Sequence, residues 1–168
     1  RRVLFRSYMI TDTSQENLET TVERHIERIK TDYGEEASIL LVLDDLLETE
    51  RKNIEYIGSL FAVGARHRSI SCVFVSQKFF PNVDAVRLIH GNADYVIAFA
   101  NNHNTRDFHL FAMRTFPSDY KSVVSIYQEA TGVNFGYLQI DLTPRRTVET
   151  IFLSQLFSTA QRVKCWVL

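Results

Sequence analysis

Hydrophobic and polar positions along the chain follow two alternating rhythms. Leu18, Val22 and Ile26 recur at helical spacing through a charged segment running to about Lys30, which predicts an amphipathic helix with one buried stripe. Thr13-Ser14-Gln15-Glu16 ahead of it reads as a capping box, in which the Thr oxygen accepts an orphan N–H while the Glu reaches back to the main chain. The next block, SILLVLDD from Ser38 to Asp45, is apolar at successive positions, as a strand covered by helices on both faces must be. Ile54, Ile57, Leu60 and Phe61 form a second helical stripe. SCVFVSQ, DYVIAFA and GYLQIDL are three further strands, ending at Gln77, Ala100 and Leu142. His103 to Thr115 and Ser118 to Thr131 read as helices, the latter with Val123, Val124, Tyr127 and Ala130 inward. Beyond Phe152, LSQLFSTAQRVKCWVL has helical character to about Val163 but no assigned place.

Strands alternating with helices predict an α/β fold, a mainly parallel sheet with flanking helices. Right-handed crossovers bring the C-terminal ends of such strands to one edge, where ligands usually bind. With 168 residues, one domain is the default, long enough to bury roughly 70% of its unfolded surface. A formal charge of −1 gives no global electrostatic case for a nucleic-acid or anionic-membrane surface, so any such contact must be local. No apolar run approaches the roughly 20 residues that span a bilayer, and no partner membrane is expected. Cys72 and Cys165 lie far apart, which excludes a disulfide framework and fits a reducing compartment; no secretory leader pattern opens the chain. His103, His109 and the other histidines have no metal-ligand spacing.

Candidate chemistry sits at two strand ends. SILLVLDD discharges into Asp44 and Asp45, and SCVFVSQ ends in Gln77. An apolar strand ending in two adjacent carboxylates is the Walker B pattern. One carboxylate holds Mg²⁺, usually through water, and the next orients or deprotonates an attacking water. A polar amide on the neighbouring strand can then report on the γ-phosphate. The plain alternative is that acidic residues mark the point where a strand reaches solvent. A two-carboxylate metal nuclease would need further dispersed acidic ligands.

Five blocks, in order, carry a resemblance: ILLVLDDLL, HRSISCVFVSQKFF, VRLIHGNADYVIAFAN, ATGVNFGYLQIDLTP and RRTVETIF. From Ser38 to Phe152 the chain resembles the genome-packaging ATPases of Polinton/Maverick elements and adintoviruses, relatives of the poxvirus packaging ATPase within the FtsK–HerA superfamily. The resemblance implies Asp44 as the Mg²⁺-coordinating acid, Asp45 as the catalytic acid and Gln77 as the polar sensor. It implies ATP and Mg²⁺ as cofactors, double-stranded DNA as the translocated partner, a homo-oligomeric ring, and a capsid or portal protein. The setting would be the host cytoplasm or nucleus, at capsid assembly sites. Arg68 and Arg87 match family arginines and rank first as the arginine completing a neighbouring subunit's site, ahead of Arg106 and Arg114. Where the family tends to read F-K-N-P-R-D, this chain has Phe99-Ala100-Asn101-Asn102-His103-Asn104, so a basic position becomes His103. A DNA-transfer motor of the same superfamily, or a nucleotide-free interaction module that keeps the fold, are the alternatives.

A Walker B needs a phosphate loop, and none of the glycines begins a G-x-x-x-x-G-K-[ST]. In the family that loop precedes the Walker B strand. One codon assignment of Arg1 to Ser7, AGA CGT GTG CTC TTC CGA TCT, resembles a widely used sequencing adapter. Residues 1–7 are therefore set aside as an artefact, residues 8–152 as a partial ATPase domain, and residues 153–168 as an unassigned tail. The expectation is a severed gene whose phosphate loop lies upstream, and a chain inactive by itself. In related ATPases the strand leading into that loop lies between the sensor strand and the one after it. Without it, unpaired edges and bare apolar strand faces are expected there.

Overall fold

A computed structural model describes residues 18–44, 51–64, 68–77, 84–101, 105–143, 151–155 and 163–166. The capping box, Asp45 and the Asn102–Asn104 departure lie outside these residues. The chain forms two compact units, Arg1–Val75 and Ser76–Leu168.

In the first unit α1 (Leu18–Tyr33) buries Leu18, Val22 and Ile26, the stripe expected from their spacing. It stops at Gly34, whose φ of +94° is a left-handed conformation that glycine adopts without strain, and whose N–H donates to the Lys30 carbonyl at 2.7 Å. β1 (Ile39–Asp44) leads to α2 (Arg51–Ser59), which runs on through a wider π-type turn, Leu60–Gly64, to β2 (Ile70–Val75). Ile54, Ile57 and Leu60 are buried along this connection. The two strands pair in parallel, from Ile39 opposite Ile70 to Asp44 opposite Val75. This is one βαβ unit, and Ile39, Leu43 and Ile70 mark its buried face. The opposite face carries Leu40 and Val42, 62% and 56% exposed, beside exposed Val73 and Val75.

The second unit comprises α3 (Asp84–Asn92), β3 (Tyr95–Phe99), α4 (Thr105–Thr115), α5 (Tyr120–Thr131), β4 (Tyr137–Asp141), β5 (Phe152–Ser154) and β6 (Lys164–Trp166). Its four strands lie in the order β3-β4-β5-β6, and each neighbouring pair is antiparallel. Phe108, Phe111 and Ala112 from α4, Val123 and Tyr127 from α5, and Ala98, Leu138, Ile140 and Phe152 from the sheet form one buried core. Each fully buried large side chain there is worth about 1.5–3 kcal/mol relative to exposure. Between α5 and β4 the chain turns at Gly136, where an added Cβ would stand 2.4 Å from the Ala130 carbonyl oxygen.

The fold is mixed α/β, as expected, but the sheet is not mainly parallel: among the described residues only β1 and β2 pair that way. The reason lies in the connection. One helix returns a chain to the end where the preceding strand began, giving a parallel neighbour. Two helices in a hairpin, α4 and α5 across Phe116–Asp119, bring it back to the end it left, so β4 runs against β3. After Phe152 the chain begins as a strand and not a helix, since Phe152–Ser154 extend the sheet. Residues 156–162, most of the stretch expected to be helical, lie outside the described residues, and Lys164–Trp166 beyond it add a further strand. Among the described residues, β2 and β3 are both edge strands, and β3 exposes Tyr95, Ile97 and Phe99 on the face away from the core.

Candidate functional site

Asp44 is the last residue of β1 and is exposed, level with Val75 at the end of β2. The chain continues from Val75 to Ser76 and Gln77. Asp45 lies outside the described residues, so the adjacent carboxylate pair is represented by Asp44. Among the described residues no three or more His, Cys, Asp or Glu side chains gather as a metal cage. A Mg²⁺ ion shared with nucleotide phosphates does not require one, because it keeps several waters and takes one or two carboxylates from protein. Asp44 fits that donor set; the phosphate cradle that would complete it is not encoded in these residues.

Gln77 is exposed, and its main-chain carbonyl accepts a bond from the Asn101 side-chain amide at 3.5 Å. Asn101 is itself held: its N–H donates to the Tyr127 hydroxyl at 3.2 Å, and that hydroxyl donates to the Phe99 carbonyl at 2.9 Å. The Tyr127 ring stacks on Phe108 with centroids 3.9 Å apart. The sequence marked Tyr127 as inward-facing but not its polar role. The signal was present: a buried tyrosine at a helix core position needs a partner for its hydroxyl, where phenylalanine would not.

The candidate arginines are differently placed. Arg68 donates from its guanidinium to Glu23 of α1 at 2.5 Å, and the other Glu23 oxygen accepts from the Tyr56 hydroxyl at 2.8 Å. The bond from Arg68 holds the Glu23 carboxyl below its ordinary range, with Tyr56 adding to the effect against the cost of burial. Burial, then the bond to Glu23, pushes the Tyr56 phenol upward. Arg68 is thus engaged inside its own chain, tying α1 to the turn before β2. Arg87 lies on α3, and its side chain is outside the described residues. Arg106 is exposed in the first turn of α4, where the helix dipole disfavours a cation. Arg114 is exposed in the last turn of α4, and its charge joins burial in lowering His90 to about 4. His90 packs edge-on against Phe111, with ring centroids 5.6 Å apart. No helix among the described residues is long and apolar enough to cross a membrane.

Fold and site together define a mixed α/β protein with a carboxylate at the end of a parallel strand. Comparison with family models, curated proteins and solved structures gives no match.

Proposed function

We propose that this chain is the Walker B part of an ATP-driven double-stranded DNA translocase of the genome-packaging type, working in the intact protein as a ring. The observation that carries this reading is the parallel β1–α2–β2 unit, in which an apolar strand ends at Asp44 opposite the last residue before Ser76-Gln77. Parallel strands bring their C-terminal ends to one edge, which is where α/β folds bind ligands. In this reading Asp44 holds Mg²⁺ through water, Asp45 orients the attacking water, and Gln77 senses the γ-phosphate. ATP with Mg²⁺ supplies the phosphoryl chemistry when bound. Among the described residues β2 and β3 each have an edge with no neighbouring strand, which supports the reading too, since such an edge can take a further strand.

Two experiments test it. A long read of the source DNA across the junction before Tyr8 is expected to continue into a strand followed by G-x-x-x-x-G-K-[ST]. In that longer protein, Asp45→Asn is expected to keep nucleotide binding and abolish turnover. Undiminished hydrolysis would remove Asp45 from the site. A reading frame that starts near Met9 with no such loop would favour the second reading, an interaction module. The bare faces of β1–β2 and β3 favour that alternative, because contiguous exposed apolar side chains are a common mark of docking surfaces.

A further inference from the structure

The β3–β4 ladder ends at the pair Phe99–Tyr137. The main-chain groups just past that last rung are not left to water. The Tyr127 hydroxyl, carried on α5, donates to the Phe99 carbonyl and accepts the Asn101 N–H. Stacking on Phe108 fixes the ring, and with it the hydroxyl. A helix side chain therefore takes over where the sheet stops. Held in this way, Asn101 extends its side-chain amide to the carbonyl of Gln77. A carboxylate in its place would lack the donor and face the carbonyl oxygen with like polarity.

We propose that Tyr127 and Asn101 are positioning residues that fix the Gln77 main chain against the end of β3, so that its side chain starts from one fixed place. The functional half of this rests on the reading of Gln77 as a sensor for nucleotide; the structural half does not. The two are separable by experiment.

Hydrogen exchange on the whole chain reads the structural half. The lost bond is one that the Gln77 carbonyl accepts, so Asn101→Asp and Tyr127→Phe are each expected to act by easing local opening of this segment, speeding exchange of the Ser76–Gln77 amides about five- to tenfold. Asn101→Gln, which keeps an amide donor of longer reach, is expected to restore most of the protection. If Tyr127→Phe speeds exchange only at Phe99–Asn101 and leaves Ser76–Gln77 unchanged, Tyr127 merely closes β3 and the proposal falls. In the longer protein that the proposed reading requires, Asn101→Asp is expected to lower kcat for ATP about tenfold or more with KM held, as misplacement of a reacting group does. An active wild type in which Asn101→Asp changes neither exchange nor kcat overturns the positioning role. A wild type with no ATP hydrolysis, but with the exchange coupling intact, leaves the positioning in place and removes only the nucleotide reading.

Discussion

The two units meet the same demand, burial of apolar strands, with different success. In the second, two helices lie on one face of a four-stranded antiparallel sheet, and Phe111, Val123, Leu138, Ile140 and Phe152 are shut from water. In the first, β1 is apolar on both faces yet has, among the described residues, one parallel neighbour and one covered side, leaving Leu40 and Val42 open. An antiparallel sheet tolerates a wet face; a parallel pair is normally buried on both. Apolar sequence states what a strand requires, and the elements around it decide whether the requirement is met.

The largest expected effect lies in the second unit. Phe152→Ala removes a fully buried ring that packs 5.3 Å from the Phe116 ring, and is expected to cost about 3–5 kcal/mol, read by urea denaturation. Trp166, the only tryptophan, reports on this unit, its indole N–H donating to Glu129 at 3.2 Å. A loss below about 1 kcal/mol would mean that the core is loosely packed in solution.

Acid should separate the units next. His90 stays neutral in the folded unit down to about pH 4 but takes a proton near 6.5 when unfolded. Its contribution is complete above pH 6.5 and is lost progressively as pH falls towards 4. Glu23 is likewise depressed, so the stability it adds to the first unit is present above its ordinary value of 4.5 and lost only as pH falls below that. On acidification the second unit is therefore expected to weaken first, and His90→Gln to flatten its slope between pH 6.5 and 4. An unchanged slope in that variant would mean that another group titrates.

A smaller effect is expected from Arg68→Met. Its pair with Glu23 is about a third exposed on each side, so solvent screening limits the loss to about 1 kcal/mol or less, together with faster exchange in α1. The smallest comes from the bare face. Leu40→Ser with Val42→Thr is expected to change stability by within about 0.5 kcal/mol while raising solubility. A loss of several kcal/mol would show that this face is covered in solution, and the contrast between the units would vanish.

Local order was legible because it depends on local chemistry. The spacing of Leu18, Val22 and Ile26, the β-branched runs of β1 and β2, and the inward positions Val123, Val124, Tyr127 and Ala130 each specify a helix or strand through their own periodicity. Asp44 and Gln77 could be picked out because a charge or amide ending an apolar strand breaks that pattern. Strand direction was not legible. Whether β4 runs with β3 or against it depends on α4 and α5 forming a hairpin, a matter of how two helices pack, not of any residue in the strands. The short strand β5 was missed because three residues carry too little periodicity to outweigh a helical composition, and β6, beyond that stretch, had no assigned place; pairing across the sheet selects both. The Tyr127–Asn101–Gln77 chain of bonds and the Glu23–Tyr56–Arg68 cluster join residues far apart in sequence. The sequence by itself determined most of the longer helices and strands and where polar groups end two of the strands. Tertiary structure decided strand direction and which polar groups meet, because both are set by contacts between elements and not within them.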